Sequence, residues 1–446
     1  MIDYFGEAMM ELDVNSMIPL DNLANPIGVI REAEELLADL YDADNAFFLI
    51  NGTTSGIQGM IMTVCNPGEK IILPRNVHKS AINGLILSGA VPVYVLPEIC
   101  TDLGISTNVS FESMKKAIDE NPEAKAVMVI NPNYYGTAGN LEEIVAYAHS
   151  KHMAVLVDEA HGAHLPFSEE LPPSAMQLGA DMSSVSLHKT GGSLTQTSAL
   201  LTKGPLIDPK KVKTVLNLTQ STSASYLLMS SLDVARKMLA IEGKQKVSRA
   251  IELSRYARRH INQIEGLHAF GPELVDHQGV HYFDETKLGI KVADIGLTGF
   301  TVYEILREEY NIQVEFGDFN NILAIISVGD IQEDIEALIE ALKDIAQKYG
   351  KKSLKLQPIK QFTAHKAIVS PRTAFFSHKR KIKIIEAENE ISGESIMVYP
   401  PGIPIVAPGE KITKEIIDYI ELLKTEDSLL TGCEDPDFEY INVLEM

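Results

Sequence analysis

The stretch of the chain that decides the fold is Ser186-Leu187-His188-Lys189-Thr190-Gly191-Gly192. We expect it just past the end of a strand, where the two glycines leave room for close approach of a backbone or a ligand. A lysine in this setting, next to a histidine, is unusual for a structural residue. It is typical of a lysine that forms a Schiff base with a carbonyl cofactor, because partial burial lowers the pKa of the amine. Lys189 is therefore the first candidate for a catalytic, cofactor-binding residue.

A second motif lies upstream, where the apolar run 153–157 leads into Asp158-Glu159-Ala160-His161-Gly162. A carboxylate at the end of a buried strand is costly unless it is paired. A protonated pyridine nitrogen is such a partner, and its protonation makes the ring an electron sink for a carbanion at a substrate Cα. Asp158 and Lys189 together predict pyridoxal 5′-phosphate (PLP) as the cofactor. The alternative for Asp158 is a helix N-cap, with Glu159 exposed.

Short apolar runs alternate with amphipathic segments along the first part of the chain. This pattern predicts crossover units and an α/β fold with a mostly parallel sheet, whose ligands bind at the carboxyl ends of the strands. The polar motifs all follow strand candidates: Gly52-Thr53-Thr54, Arg75-Asn76-Val77-His78, 131–136, 158–161 and 186–189. We therefore expect one site at one edge of the sheet.

An anion site is predicted where Thr53 and Thr54 begin a helix. Hydroxyls and free amides at a helix N-terminus bind anions, and Ser186 converges from another strand end, so the anion would be the cofactor phosphate. His78 lies at the same edge and could stack on the pyridine ring or transfer a proton. A capping or core histidine is the alternative for His78.

The histidines that follow Asp158 raise the alternative of a metal site. His161 and His164 with Asp158 could be imagined as ligands, but a third convincing ligand is lacking and Lys189 would stay unexplained. Zinc sites need at least three protein ligands. We therefore expect no metal.

Composition excludes several classes of protein. The chain of 446 residues has 39 Lys and Arg against 61 Asp and Glu, a net charge of −22, which argues against nucleic acid or anionic membranes as partners. An acidic surface also attracts cationic substrates, although in most acidic proteins the charge serves only solubility. No apolar run approaches the ~18–20 residues of a membrane span, and the N-terminus lacks a signal-peptide pattern. Cys65, Cys100 and Cys433 form no paired motif, so we expect a reduced, cytoplasmic protein.

The periodicity of apolar residues predicts the remaining elements. Helices are expected over 27–41, 79–88, 111–119, 141–150, 228–265, 299–310 and 331–349. Strands are expected over 46–50, 70–73, 91–96, 124–130, 153–157, 289–295, 312–314, 322–327, 382–386 and 395–399. The basic cluster 378–381 is most simply a solvated face.

Four parts of the chain follow from this pattern. We expect an N-terminal arm over 1–25, a large PLP-binding domain over 26–265, a small α+β domain over 266–350 and a C-terminal domain over 366–446. The polar and basic stretch 351–361 is predicted to be a linker.

The motifs resemble those of a known family, the bacterial Orn/Lys/Arg decarboxylases, and above all its short biosynthetic arginine decarboxylases. The resemblance rests on Ser186-Leu187-His188-Lys189, Asp158-Glu159-Ala160-His161-Gly162, Arg75-Asn76-Val77-His78-Lys79 and Tyr399-Pro400-Pro401-Gly402-Ile403-Pro404, and it covers nearly the whole chain. It implies the aspartate-aminotransferase fold (PLP fold type I). It also implies a homodimer or higher homo-oligomer.

The resemblance implies a role for each matching catalytic residue. Lys189 would bond PLP, Asp158 would pair with its pyridine nitrogen, and His78 would stack on its ring. His188 would help Lys189 in proton transfer.

Four further positions match cofactor ligands of the family. Thr53, Thr54 and Ser186 would bind the phosphate, and His161 would pack beside the ring. These roles are expectations that follow from the family.

The implied activity is PLP-dependent decarboxylation of a basic amino acid. Arginine, giving agmatine for polyamine biosynthesis, is the first expectation, and lysine or ornithine is the alternative. Glu315 and Asp318 are candidate partners for the cationic end of the substrate, although the polar ends of a strand turn explain them equally. Arg372 is a weaker candidate for a functional contact.

Two other classes stay open. A different PLP reaction, such as transamination or retro-aldol cleavage, uses the same scaffold. A non-catalytic, regulatory relative is the second, because the sequence starts after the Pro-Gly-His-Lys segment that short family members have ahead of the region of 18–21.

Overall fold

The chain was analysed as a computed structural model that describes residues 1–350, 367–398, 402–425 and 430–445. The predicted linker 351–361 and residues 399–401 of the proline-rich motif lie outside the described residues. The helices, in chain order, are α1 Ile2–Phe5, α2 Glu7–Leu12, α3 Val29–Leu40, α4 Gly52–Val64, α5 Lys79–Ser88, α6 Phe111–Glu120, α7 Leu141–Ser150, α8 Leu187–Thr190, α9 Pro209–Thr219, α10 Tyr226–Ile261, α11 Gly299–Tyr310, α12 Gln332–Tyr349, α13 Pro371–Phe376 and α14 Lys414–Thr425.

The strands alternate with these helices. In chain order they are β1 Asn45–Leu49, β2 Lys70–Pro74, β3 Val91–Val95, β4 Ile99–Cys100, β5 Ile105–Ser106, β6 Ala126–Ile130, β7 Thr137–Ala138, β8 Ala154–Glu159, β9 Met182–Val185, β10 Ser198–Thr202, β11 His268–Phe270, β12 Tyr282–Phe283, β13 Lys287–Lys291, β14 Phe316–Gly317, β15 Asn321–Ile325, β16 Lys379–Lys383, β17 Ile396–Val398, β18 Ile403–Val406, β19 Leu430–Thr431 and β20 Tyr440–Leu444.

The central sheet has the strand order β1-β10-β9-β8-β6-β2-β3. Neighbours from β9 to β3 pair in parallel, and β10 runs antiparallel to both β1 and β9. The prediction of an α/β fold with a mostly parallel sheet is confirmed. The register sets Ile130 opposite Asp158 and Asp158 opposite Ser184, so the carboxyl ends of β6, β8 and β9 end side by side.

Helices cover both faces of this sheet, which is why its central strands are apolar along their length. On one face, α4, α5 and α9 pack Met60, Leu85 and Leu216 into a common core. On the other face, α3, α6, α7 and the start of α10 contribute a second cluster that includes Leu37 and Leu232. Each fully buried aliphatic side chain contributes roughly 1.5–3 kcal/mol, so these two layers hold the sheet edge in place.

Two glycines explain how α4 approaches the sheet. Gly52, with φ of 71°, makes the tight turn from β1 into the helix, a backbone conformation that glycine adopts at little cost. A Cβ atom at Gly56 would clash with Ser184 Oγ and with the side chain of Leu49. The N-terminus of α4 therefore lies directly against the carboxyl ends of the strands.

A second, antiparallel sheet has the order β11-β13-β15-β14. Its core joins α11, α12 and the second half of α10, with Ala257, Val302 and Leu342 buried in one cluster. The helix α10 is 36 residues long and packs in two cores, since Leu232 belongs to the second cluster at the central sheet and Ala257 to the cluster of the antiparallel sheet. The predicted domain boundaries are not tested by these contacts and stay predictions.

The C-terminal part carries two small sheets, β16-β20 and β18-β17-β19, packed with α14 around a fourth cluster. It contacts the end of β2 through a buried ion pair in which Arg75 Nη2 lies 2.7 Å from Glu410 Oε2. None of the described helices is long and apolar enough to cross a membrane.

Several predicted elements differ from the structure at their ends. The strand predicted over 312–314 is wrong: Asn311 ends α11 in a left-handed conformation and Ile312 N–H bonds back to Leu306 O, so pairing starts only at Phe316. The strand predicted over 289–295 ends at Lys291 and is followed by a 3-10 turn. The strand predicted over 382–386 lies earlier, at β16, and 384–386 form another 3-10 turn.

Candidate active site

A cavity of about 550 Å³ opens where the parallel strands end. All residues predicted to act in catalysis or cofactor binding line it: Thr53, Thr54, His78, Asp158, His161, Ser186, His188 and Lys189. They come from the ends of four different strands, β1, β2, β8 and β9, as the motif positions predicted. A volume in this range is typical of a pocket for a small ligand.

Lys189 lies in the short helix α8 that follows β9. Its Nζ is 2.9 Å from Nε2 of His161 and 5.8 Å from the centre of the Tyr134 ring. Burial lowers the pKa of the Lys189 amine, and the charge of Lys287 lowers it further, against the opposing charges of Asp158 and Glu315. A lysine with a lowered pKa has a larger unprotonated fraction near neutral pH, which is the form that attacks a carbonyl.

Asp158 is buried at the end of β8. Its Oδ1 accepts a hydrogen bond of 3.2 Å from the N–H of Ala160. Burial raises the pKa of the Asp158 carboxyl, and the charge of Lys189 and the Ala160 hydrogen bond oppose this shift. A cation in the cavity next to Asp158 would favour the ionised carboxylate.

The alternative explanation of this motif, a helix N-cap with an exposed glutamate, is wrong. Asp158 still belongs to β8, and a turn rather than a helix follows it. Glu159 is buried, and its carboxylate accepts hydrogen bonds from Ala175 N–H at 2.8 Å and Ser183 Oγ at 2.6 Å. Burial raises the pKa of Glu159 to about 7.

Hydroxyl groups gather at the N-terminus of α4. Thr53 Oγ1 forms a short hydrogen bond with Ser186 Oγ and lies 3.0 Å from Ser198 Oγ. The N–H of Gly52 donates to the carbonyl of Gln196 at 2.8 Å, which ties the start of the helix to the loop before β10. Since the first N–H groups of a helix have no partner within it, this cradle suits a phosphate.

His78 both caps a helix and lines the cavity, so the two interpretations of its position are compatible. Its Nδ1 accepts from Ser80 N–H at 3.2 Å at the start of α5. Burial lowers the pKa of His78 to about 4, and the charges of Lys189 and Lys79 contribute. At neutral pH the ring is therefore uncharged, with its proton on Nε2, and suits stacking on an aromatic ring.

His188 has the opposite tautomer. Its Nδ1–H donates to the carbonyl of Thr197 at 2.8 Å, which leaves Nε2 free of a proton when the ring is neutral. Burial lowers the pKa of His188, and the charge of Lys189 lowers it further, although the bond to Thr197 opposes both. Nε2 can therefore accept a proton from a bound molecule and return it.

Among the substrate candidates, Glu315 lines the cavity and Asp318 and Arg372 do not. Asp318 accepts hydrogen bonds from the Tyr135 hydroxyl and from the N–H groups of Asn320 and Asn321, so it fixes the turn between β14 and β15. Arg372 donates to the carbonyl of Leu87 at 2.7 Å. The structure thus keeps Glu315 as a candidate and gives the other two a role in packing.

Three residues of the site were not predicted. Tyr134 lines the cavity with its ring centre 4.7 Å from that of His161, and it stood inside the motif 131–136. Ser198 begins β10, a strand that the sequence did not predict. Gln196 lines the cavity in a left-handed conformation with φ of 76°, and no local pattern identifies it.

The residues present fit PLP. Lys189 offers an amine for its carbonyl, Asp158 a buried carboxylate for its pyridine nitrogen, and the Thr53 and Ser186 hydroxyls a cradle for its phosphate. His78 offers a neutral ring. A nucleotide phosphate loop, by contrast, would need a glycine-rich GxxxxGK[ST] sequence that this chain lacks.

Comparison with known proteins adds independent evidence. Residues 1–334 match the family described as Orn/Lys/Arg decarboxylase, major domain, and residues 355–437 match its C-terminal domain. An arginine decarboxylase of Bacillus subtilis (strain 168) is 45% identical over 446 residues, 99% of this chain and 91% of that protein. An arginine decarboxylase of Halalkalibacterium halodurans is 43% identical over 444 residues, 99% of this chain and 90% of that protein.

The fold was compared with solved structures as well. The crystal structure of a lysine decarboxylase from Francisella novicida superimposes with a TM-score of 0.86 and 21% sequence identity, covering 99% of this chain and 76% of that chain. At this identity the likeness shows the fold alone. The fold is that of the decarboxylases and aminotransferases of PLP fold type I, as the motifs implied.

Proposed function

The chain belongs to the Orn/Lys/Arg decarboxylase family, and on that premise we propose that it decarboxylates arginine to agmatine with PLP as its cofactor. The family and its fold neighbours are PLP-dependent enzymes. The observation that carries the proposal is the convergence of Lys189, Asp158 and the Thr53–Ser186 cradle on one cavity.

Each of these residues would bind a different part of the cofactor. Lys189 would bond its carbonyl carbon, Asp158 would pair with its ring nitrogen, and Thr53, Thr54 and Ser186 would bind its phosphate. His78 would stack on the ring in its uncharged form, which its lowered pKa of about 4 favours. When bound, PLP supplies an electron sink that takes up the electron pair of the Cα–carboxylate bond.

The remaining chemistry is the movement of a proton to Cα. His188 is the candidate donor because Thr197 holds the Nδ1 proton and leaves Nε2 to exchange protons with the cavity. Lys189 is the second candidate, since its amine lines the same cavity and its lowered pKa lets it exchange a proton there. Positioned general acids of this kind contribute typically 10²–10⁴-fold to a rate.

Glu315 is the residue of this subunit that would bind the cationic end of the substrate. Its carboxylate lines the cavity and already acts on Lys189 across it. A charge-assisted hydrogen bond from a guanidinium or an ammonium group suits such a carboxylate. Arginine is preferred over lysine and ornithine because relatives at 43–45% identity are named arginine decarboxylases.

The test is release of CO₂ from arginine, lysine and ornithine, each supplied separately to the PLP-loaded protein. We expect release from arginine with agmatine as the product, and none from Lys189→Ala. The variant Lys116→Ala, which removes an exposed lysine on α6, is the matched control and keeps full activity. A keto acid in place of agmatine would establish transamination instead, and CO₂ from lysine alone would overturn the choice of substrate.

The proposal extends to the cellular setting. Agmatine formation would serve polyamine biosynthesis in the cytoplasm, which the three free thiols of Cys65, Cys100 and Cys433 support. A homodimer is supported by the apolar side chains that the N-terminal arm exposes, among them Tyr4 and Ile18. Sedimentation of the protein with and without residues 1–18 tests the dimer.

A further inference from the structure

A fully buried ion pair lies behind the cavity, outside the residues that line it. Lys287 Nζ is 2.7 Å from Asp284 Oδ2, and both side chains are 0% exposed. Lysine is almost never fully buried unless it is paired, and a buried pair seldom adds net stability over apolar residues of the same size. The pair therefore calls for an explanation other than stability.

The pair reaches the cavity through the turn that follows β8. Lys287 Nζ donates to the carbonyl oxygen of His161 at 3.3 Å. On the other side of the pair, His164 Nε2 lies 3.1 Å from Asp284 Oδ2 and 3.0 Å from Thr286 Oγ1. One short segment that leads into β13 thus binds this turn at two positions, three residues apart.

The same segment also packs against the loop that carries Tyr134. Phe283 pairs with Thr137, and Asp284 N–H donates to Gly136 O at 2.7 Å. A Cβ atom at Gly136 would lie 2.9 Å from Lys287 Cβ, so the two backbones are in close contact. Both loops beside Lys189 therefore rest on the segment from Tyr282 to Lys287.

His161 depends on this support for its orientation. Within the described residues its Nδ1 is buried without a hydrogen-bond partner, and its Nε2 contacts Lys189 Nζ at 2.9 Å. Its ring otherwise meets Tyr134. With so few polar contacts from its own ring, His161 is positioned by its backbone, and the bond from Lys287 holds that backbone.

The pKa shifts of His161 and Asp284 are consistent with these contacts. Burial lowers the pKa of His161 well below its usual value, and the charges of Lys189 and then Lys287 lower it further, against the opposing charge of Asp284. For Asp284 burial acts to raise the pKa, but Lys287 and His164 hold it well below its usual value. The lowered pKa of Asp284 keeps its carboxylate ionised, and the lowered pKa of His161 keeps the histidine beside the cofactor lysine neutral.

We propose that Lys287, held in place by Asp284, is a positioning residue that fixes the His161 turn against the cofactor ring. The proposal rests on the proposed function only in taking PLP as the ligand of the cavity. It assigns Lys287 no contact with substrate or cofactor, because Lys287 acts through the carbonyl of His161.

The test compares PLP affinity in a double-mutant cycle. Lys287→Met alone leaves the buried Asp284 carboxylate without its ammonium partner, so the main variant is Asp284→Asn with Lys287→Met. It removes both charges and puts a hydrogen-bonding amide in place of the carboxylate. We expect this variant to weaken PLP binding about tenfold in the wild-type background and less than about twofold in His161→Ala, because coupled residues are non-additive. An equal loss in both backgrounds would overturn the proposal.

A second readout does not depend on cofactor. We expect amide hydrogen exchange of residues 160–165 in the PLP-free variant to be about tenfold faster than in the wild type, because local opening becomes easier. The control is Lys291→Met, which removes a partly exposed lysine from the same strand and its ion pair with Asp294, and leaves exchange of the turn unchanged. Unchanged exchange in the main variant contradicts the proposal.

The two proposals can fail separately. Absence of CO₂ release from the wild type would count against the decarboxylase function and leave the cycle and the exchange measurement intact. If the enzyme releases CO₂ but the Asp284→Asn, Lys287→Met variant loses PLP affinity equally with and without His161→Ala, only the positioning role is contradicted.

Discussion

Lys189 Nζ and His161 Nε2 lie 2.9 Å apart, so the amine expected to bond the cofactor faces an imidazole as well as a carboxylate. Burial and the charge of Lys189 lower the pKa of His161 well below its usual value, which keeps its ring neutral. Burial also lowers the pKa of Lys189, against the opposing charges of Asp158 and Glu315. The amine and the imidazole therefore meet where burial disfavours the charged form of each.

Asp158 should control the rate more than the binding of cofactor. In Asp158→Asn the ring nitrogen loses its charged partner, and we expect kcat to fall on the order of 10²–10³-fold, the size typical for loss of one preorganised electrostatic contact. PLP should still bond to Lys189. The control is Asp208→Asn, which keeps a good N-cap on α9 far from the cavity, and a loss of less than about threefold in Asp158→Asn would contradict the assignment.

Glu315 should act on the substrate and not on the cofactor. Loss of one charge-assisted hydrogen bond costs about 1.5–3 kcal/mol, so Glu315→Gln should lower kcat/KM for arginine roughly 10–100-fold, mainly through KM. PLP affinity should not change. Steady-state kinetics with arginine decide this, and an unaltered KM would remove Glu315 from the substrate site.

Asp318 should behave differently from Glu315. It stands three residues later, and the sequence offered both as partners for the cationic end of the substrate. Its carboxylate is occupied by Tyr135, Asn320 and Asn321. We expect Asp318→Asn to leave KM unchanged and to lower stability by about 1–3 kcal/mol, the cost of unsatisfied buried donors. A raised KM with unaltered stability would reverse the two assignments.

His78 should make stability depend on pH in the acidic range. Its pKa is about 4 in the folded protein against an ordinary value of 6.5, so the unfolded chain binds the proton more readily between these two values. The stability due to neutral His78 is complete above pH 6.5 and is lost as the pH falls through about 4.

The measurement for His78 is urea unfolding of the PLP-free protein at several pH values across that window. The wild type should lose more stability on acidification than His78→Gln, whose side chain does not titrate. Other titrating groups are common to both proteins and cancel in the difference. Parallel curves for the two proteins would contradict the lowered pKa.

The stability of the fold should depend on both partners of the Arg75–Glu410 ion pair. Its side chains are 8% and 0% exposed, and Arg75 also donates to the carbonyls of Pro404 and Ile405. Arg75→Met leaves a buried carboxylate without a partner and should cost about 3–5 kcal/mol, whereas Arg75→Met with Glu410→Leu should recover much of this loss. Urea unfolding checks both variants.

An exposed ion pair serves as the control for the stability change in Arg75→Met. Lys116 and Glu120 lie 3.9 Å apart on α6 with side chains 75% and 63% exposed, and Lys116→Met should change stability by less than about 1 kcal/mol. If Arg75→Met behaved like Lys116→Met, the contact between the C-terminal part and β2 would not depend on the buried pair.

The sequence predicted the cavity well because its residues follow strand ends. Carboxyl ends of parallel strands meet at one edge, so Asp158 and Lys189 could be placed together without knowing any side-chain contact. The same reasoning does not distinguish Glu315 from Asp318. Both occupy one turn, and only the partners of each carboxylate, which come from distant segments, separate them.

The role proposed for Lys287 could not be predicted from the sequence. It stands at the start of an ordinary strand, and its partner in the site, His161, is 126 positions away along the chain. Its importance comes from complete burial and from a bond to a backbone carbonyl, which no local pattern reports. Gln196 is similar, since its left-handed backbone is visible only in three dimensions.

The central claim, that Lys189 is the residue that bonds the cofactor, is tested most directly by chemical trapping. The PLP-loaded protein is reduced with borohydride, digested and analysed by peptide mass spectrometry, so that the cofactor stays on the amine to which it was bonded. The account predicts the added mass on the peptide that contains Lys189 and on no other lysine. Label on a different lysine, such as Lys287 or Lys79, or no label on a protein that binds PLP, would contradict it.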